Sequence, residues 1–355
     1  MKRGRLAQSK TKGRTIQGSK TPFRIWNRSG RWTGLTQMTL VESALCPLDP
    51  KVSKKNGSIH LSHFNYYDKN GKRKQATIET TAAFGLSPND DFYLWGLLAL
   101  TFAQPEPSAL FYATPHYCLT QLGVISEGAG GKNYKNFRSV LKRLAGVVYS
   151  CNAFYDPIRG ERSDQTFHLL SYSRPRDSKS SRVWRIAWDP LLFDYVAAGD
   201  GHFCFDLSTY RNLDPASRRL FLLLRKIFHR RRKVHFAVRE LAVQQLGYSA
   251  ELEPKKLKAS LKRCLNKLLN LGIISLGTAG NLSELFEVKK NAGQWLTIFR
   301  GQYFEKTSTK KKSIATVESA ASGPLSSIGF NTREIAKLLR QYSMPSIQEL
   351  SLIHI

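Results

Sequence analysis

Asp91-Phe-Tyr-Leu-Trp-Gly-Leu-Leu-Ala-Leu-Thr-Phe102 lies over Ser217-Arg-Arg-Leu-Phe-Leu-Leu-Leu-Arg-Lys-Ile-Phe228 at an offset of 126. Leu110–Gly123 lies over Val234–Gly247 at an offset of 124, each ending in Gln-Leu-Gly. Phe137-Arg-Ser-Val-Leu-Lys-Arg143 lies over Leu257-Lys-Ala-Ser-Leu-Lys-Arg263 at 120. Each match alone is weak. Their common order and near-constant spacing indicate one structural unit present twice.

Each copy reads as the same order of elements. A first helix follows an Asn/Asp/Pro start signal, Ser87-Pro-Asn-Asp90 or Leu213-Asp-Pro215. A short strand comes next, Leu110–Ala113 or Val234–Ala237. A second helix stops at Gly123 or Gly247, glycine being the residue that leaves a helix at least cost. A third helix, Lys132–Ala145 or Pro254–Leu271, is basic. Two strands close the unit: Val147–Tyr155 with Thr166–Tyr172, or Ile273–Leu276 with Phe286–Val288, and Leu296–Phe299 is available as a further strand. Helix, strand, helix, helix, hairpin is the order of a winged helix, whose third helix enters the major groove of DNA while the hairpin touches the backbone beside it. The expected fold class is therefore α+β, two tandem winged-helix domains with appendages. Residues 1–35 form a basic flexible arm, and 36–205 the first domain with an N-terminal β-hairpin (Ile59–Thr81, turning at Asp68–Gly71). Residues 206–305 form the second domain, 306–330 a Lys/Ser/Thr linker, and 331–355 a short C-terminal helix and flexible tail.

The composition agrees with a polyanionic partner. The 355-residue chain carries 55 Lys+Arg against 26 Asp+Glu, a net charge of +29. A compact chain of that charge repels itself, and nucleic acid or an anionic membrane relieves it. The apolar runs, such as Leu220–Leu224, are far too short to span a bilayer, so no membrane is expected as partner. A membrane-surface role stands as the third alternative, behind DNA binding and an enzyme. The arm at 1–35 holds ten Lys/Arg and no acid. The five cysteines show neither metal-ligand spacing nor CxxC pairing, which argues against a zinc site or disulfide framework and suits a reducing cytoplasm. No catalytic constellation of carboxylates, histidines or nucleophiles stands out. No cofactor or metal is expected, and the chain reads as a binding protein rather than an enzyme. Asp90 and Asp91 read as acids at a helix start, where the dipole favours them.

The third helices carry the candidate site. In the second, Leu257, Leu261, Cys264, Leu265, Leu268 and Leu271 recur on one stripe. Lys255, Ala259, Lys262, Arg263, Asn266 and Asn270 project opposite, Lys258 flanks the stripe, and no acid occurs between Pro254 and Gly272. A merely solvated helix mixes signs for i,i+4 pairing. A face of Lys, Arg and Asn around one small Ala suits a groove, with cations to phosphates, Arg to guanine and Asn to adenine. In the first, Tyr134, Phe137, Leu141 and Leu144 form the stripe, Lys132, Lys135, Ser139, Lys142 and Arg143 lie opposite, and Asn136 sits on the margin. Arg174 and Arg176, and Lys289 and Lys290, stand in the polar stretches of the wings and complete the candidate DNA contacts. The run His229-Arg-Arg-Arg-Lys233 admits either a helix-terminal or a DNA-backbone role.

Thr39–Asp49, the Asp68–Lys74 hairpin, Gly85-Leu-Ser-Pro-Asn-Asp90, Tyr134-Lys-Asn-Phe137 and Arg218-Arg-Leu-Phe221 resemble the plasmid replication initiator protein A family, over roughly residues 35–300. The resemblance implies tandem winged-helix domains that bind repeated double-stranded DNA sites at a plasmid origin, open the DNA nearby and recruit host replication proteins such as a helicase or host initiator. A transcriptional regulator using the same surfaces, and less readily a primase or nuclease, are the alternatives. A homodimer is compatible with the sequence but not specified by it.

Overall fold

The computed structural model describes residues 33–68, 70–125, 131–177, 182–198, 201–289 and 293–304. The bulk of the arm, the linker and the C-terminal helix and tail lie outside these residues. The architecture is α+β. It comprises two compact units, one formed by the chain up to Arg219 together with Val243–Ala250, the other by Leu220–Ala242 and the described chain from Glu251 onward.

In chain order the first unit contains β1 (Thr33–Gln37), α1 (Pro50–Ser53), β2 (Ser58–Tyr67), β3 (Arg73–Ala82), α2 (Asp90–Phe102), β4 (Leu110–Ala113), α3 (Pro115–Gln121) and α4 (Gly131–Ala145). It continues with β5 (Val147–Asp156), β6 (Glu161–His168), β7 (Leu170–Ser173), β8 (Trp184–Trp188), α5 (Pro190–Ala197), β9 (His202–Asp206) and α6 (Leu207–Arg211). α7 (Pro215–Ile227) begins in this unit and ends in the other. The second unit adds β10 (Lys233–Ala237), α8 (Val238–Glu240), α9 (Pro254–Asn270), β11 (Ile274–Ser275), β12 (Phe286–Lys289) and β13 (Gly293–Arg300). The segments matched between the copies fold alike: α2 with α7, β4 with β10, α3 with α8, and α4 with α9. The second copy departs at Leu241–Gln245, a π-helical turn where the first copy stays α-helical. The boundary drawn at 205/206 falls inside the first unit, because β9 pairs with β1 along Thr33–Asp206 to Gln37–His202 and α6 follows at once.

The strands after α4 correct the sequence reading. Thr166–Tyr172 is not one strand: it breaks at the buried Leu169 into β6 and β7. β5 and β6 form a hairpin that extends the β2–β3 hairpin into a four-stranded antiparallel sheet, β2-β3-β5-β6. β7 and β8 form a further hairpin, in a sheet ordered β4-β8-β7. β8 was missed although its pattern is legible, with Trp184, Ile186 and Trp188 buried and Arg185 exposed between them. The second unit lacks the inserted hairpin and passes from α9 directly to β11, with β13 pairing β10 on one side and β11 and β12 on the other.

α2 is apolar almost all round and is buried from Asp90 to Thr101, so it forms the centre of the first unit. The Trp188 indole donates to Thr101 Oγ1 at 2.9 Å, and Phe102 stacks on Phe193 at 4.9 Å. The second-helix ends behave as read, Gly123 at φ +65 and Gly247 at φ +82. A Cβ at Gly247 would meet Arg219 Nη1 at 2.6 Å and the Cys46 carbonyl oxygen at 2.8 Å. The arginine's approach to the Cys46 and Leu246 carbonyls, 2.8 Å each, therefore requires glycine there. None of the five cysteines is in a disulfide. Burial pushes the thiols up, to about 11 at Cys46 and about 12 at Cys118.

His60, opposite Thr80 on β3, titrates low, at about 4, through burial and then the Arg219 charge. The unfolded chain takes up a proton near pH 6.5 that the folded chain refuses until about pH 4. Stability is then complete above pH 6.5 and falls as pH drops towards 4, by on the order of 1.4 kcal/mol per pH unit at most. Urea unfolding at pH 7 and pH 5 should show this loss in the wild type and a smaller one in His60→Gln. Equal losses in both would remove His60 as the cause.

Candidate nucleic-acid interface

α4 is set by its apolar face. Phe137, Val140, Leu141 and Leu144 are buried, Phe137 stacking on Trp184 at 6.1 Å and tilted against Tyr93 at 5.8 Å. Burying each such side chain contributes about 1.5–3 kcal/mol, which fixes the rotation of the helix. Lys132, Lys135, Asn136, Ser139 and Lys142 are consequently exposed together. Within that face Asn136 Nδ2 donates to the Tyr93 hydroxyl at 3.3 Å, Ser139 Oγ donates to the Lys135 carbonyl at 3.1 Å, and Lys142 Nζ sits 4.4 Å from the Phe84 ring centre.

Arg143 is the exception and corrects the reading of this helix. Its Nε donates to Asp90 Oδ2 at 2.6 Å and its Nη2 to Asp90 Oδ1 at 2.7 Å. Asp90 is 1% exposed, so the guanidinium is committed inward as a bidentate partner and is withdrawn from the groove-facing set. Helical projection could not see this, because it places Arg143 opposite the stripe without knowing that the start of α2 reaches it. The carboxylate holds Arg143 above its ordinary value. Asp90 also accepts from the Ser87 amide at 2.8 Å. Asp91 lies 4.0 Å from Arg219, and burial raises it against the pull of Arg219 and Arg218. The two acids are therefore buried ion-pair partners as well as helix-start residues.

Arg138, not singled out from the sequence, lies on the flank of α4, its guanidinium 5.9 Å from the Trp184 ring centre. Its spacing of three from Lys135 was the available signal. A cavity of about 600 Å³ lies between α4 and the β7–β8 hairpin, walled by His116, Tyr134, Lys135, Arg138, Arg174 and Trp184 among others. His116 Nδ1 and the Tyr134 hydroxyl are hydrogen-bonded across 2.9 Å at one rim. Arg174 and Arg176 are both exposed at the base of the β7–β8 turn.

In the second unit, α9 buries Leu257, Ser260, Leu261, Cys264, Leu265 and Leu268. Leu271 is 44% exposed, since the helix ends at Asn270 and Gly272 turns the chain away at φ +67. Lys255, Ala259, Arg263 and Asn266 are exposed on the opposite face. Lys258 and Lys262 are half-buried and lean towards the segment entering the β12–β13 hairpin. Lys258 Nζ is 5.0 Å from the Phe286 ring centre, and Lys262 Nζ donates to Ser283 Oγ at 2.8 Å. Arg263 Nη2 donates to Ser260 Oγ at 3.0 Å, which orients the guanidinium without neutralising it. Lys289, exposed at the end of β12, sits 4.8 Å from the Trp295 ring centre. Lys290 lies outside the described residues.

Among the described residues no three His, Cys, Asp or Glu side chains gather as a metal site, and no helix is long and apolar enough to cross a membrane. No protein-family model matches the chain, and no curated protein compared with it is significantly similar. Two solved structures of RctB domains 2 and 3 are similar in the course of the chain. One is 14% identical with a TM-score of 0.45, covering 74% of this chain and 98% of that one. The other is 15% identical with a TM-score of 0.41, covering 76% and 99%.

Proposed function

We propose that the chain is a sequence-specific double-stranded DNA-binding protein, built as two winged-helix modules, that initiates replication at a plasmid origin without enzymatic chemistry of its own. The observation that carries DNA binding is the pair of acid-free third helices, each fixed by a buried apolar stripe so that Lys132, Lys135 and Lys142 on one, and Lys255 and Arg263 on the other, stand outward. In the second module Arg263 and Asn266 are the base-reading candidates, because both side chains suit hydrogen bonding to base edges. Lys255, Lys258 and Lys262 neutralise phosphates. In the first module Lys132, Lys135, Asn136, Ser139 and Lys142 take these roles, joined by Arg138, while Arg174 and Arg176 follow the backbone. The role in initiation rests on the family resemblance of the sequence segments, and implies cytoplasmic host replication proteins as further partners.

The test is binding of the full chain to DNA flanking its gene, with short direct repeats scanned first, followed by permanganate probing for unpaired thymines. Specific binding with local opening is expected. Binding without opening would reassign the protein to transcriptional control, and no preference for duplex DNA would remove the reading. Arg263→Ala should flatten discrimination between sites, whereas Lys255→Ala should weaken all sites alike. Equal losses on every sequence for Arg263→Ala would end its base-reading role.

A further inference from the structure

The second unit carries a cationic strip that its third helix does not explain. Along β10 and β13 the side chains alternate between two faces. Val234, Leu296 and Ile298 are buried among the helices. Lys233, His235 and Phe299 project to the other face, where Lys233 Nζ sits 5.2 Å from the Phe299 ring centre and His235 Nδ1 is hydrogen-bonded to Thr297 Oγ1 at 2.9 Å. Lys289, over Trp295, continues the row towards the wing. His235 is held below its ordinary value by burial and then by Lys233 and Lys289, so both cations act on the middle of the strip, against Glu287, the one acid among the described residues of this face, which lies between His235 and Lys289.

At the other end stands the turn His229–Lys233, all five residues exposed. It is ordered at both ends. The Arg230 and Arg231 amides donate to the Ile227 carbonyl at 3.2 and 3.1 Å, and the Arg232 carbonyl accepts from the Arg300 amide at 2.8 Å. A helix C-terminus rewards cations within its last turn, which Arg225 and Lys226 already supply. Arg230, Arg231 and Arg232 lie beyond it, and no acid occurs anywhere in 215–239. Their mutual repulsion has no structural return. The turn presents no apolar side chain, which disfavours a packed protein interface and favours phosphates, whose geometry the guanidinium fork fits.

We propose that this strip, from Arg230–Arg232 through Lys233 to Lys289, grips the phosphate backbone of a second stretch of duplex DNA, distinct from the one α9 addresses. The inference rests on the reading of α9 as a groove-binding helix. The partners of Lys233 and Lys289 on β13 are six positions apart, about 20 Å of strand, which matches the rise of about six phosphates along one DNA strand.

The experiment compares the full chain with its R230S/R231S/R232S variant on random-sequence duplexes, using a charge-keeping triple Arg→Lys variant as control. If the second stretch is a flank of the same molecule, the salt slope of binding to a long duplex falls by about 2–3, while a short duplex shows no change. If it is a separate molecule, co-capture of two differently labelled duplexes is lost and single-duplex affinity stays at the wild-type value. The Lys variant should behave as wild type in both arms. A wild-type slope together with wild-type co-capture in the Ser variant overturns the proposal, as does an equal loss on the short duplex, which would make the turn part of the α9 contact. Failure of the wild type to bind any duplex would instead sink the underlying reading.

Discussion

Replacing Lys255, Lys262 and Arg263 together by alanine lowers affinity for specific duplex DNA by about 10²-fold at about 0.1 M salt and reduces the salt slope by about 2, the two lysines being the phosphate contacts. The magnitude follows from counterion release, since each phosphate contact contributes about 0.9 to the slope and somewhat under tenfold in affinity at that ionic strength. The fold should survive. Lys255 and Arg263 are exposed and Lys262 makes only a 2.8 Å hydrogen bond to the exposed Ser283, so the substitutions remove charge without opening the core. Alanine also favours the helix. Fluorescence anisotropy across a salt series, with thermal melting of the free variant, checks both halves. An unchanged slope in a normally folded variant would mean that α9 does not face DNA, and the functional reading would fall with it.

Arg143→Ala destabilises the first unit by about 3–5 kcal/mol. The substitution leaves Asp90, 1% exposed, as an unpaired carboxylate between the start of α2 and the end of α4. Removing one partner of a buried pair costs that much because the remaining charge keeps its desolvation penalty. Asp90→Asn combined with Arg143→Met removes both charges and should recover much of the loss. Denaturant unfolding of the single and double variants measures the coupling. A loss below about 1 kcal/mol for Arg143→Ala would show that the pair behaves as a solvated surface bridge, and Arg143 would return to the set of candidate DNA contacts. If the pair is buried as described, any loss of DNA binding in Arg143→Ala should track the loss of folded protein rather than the salt slope.

The parts of the candidate site that were legible share one property: they depend on periodicity within a single element. The stripe Leu257, Leu261, Cys264, Leu265 and Leu268 dictates which face of α9 meets water, and Lys255, Arg263 and Asn266 follow from it by helical geometry alone. Gly123 and Gly247 mark helix ends for an equally local reason, as both take positive φ. β8 is readable too, from the alternation of Trp184, Ile186 and Trp188. Arg138 is not legible in this way: a flank residue is assigned to core or solvent by its neighbours, here Trp184 on β8.

The sequence by itself determined the repeated order of elements, the α+β class, the charge and the two acid-free helices, because each is written in spacing and residue type. Tertiary structure alone decided that β5 and β6 join the N-terminal hairpin in one sheet, since strand pairing depends on which edges meet across dozens of residues. It also decided that Arg143 turns to Asp90, 53 positions away, and that Lys233 and Lys289 share one face of a sheet. Such long-range pairings are set by the competition between desolvation and a partner brought close by folding, and nothing within one element records its outcome.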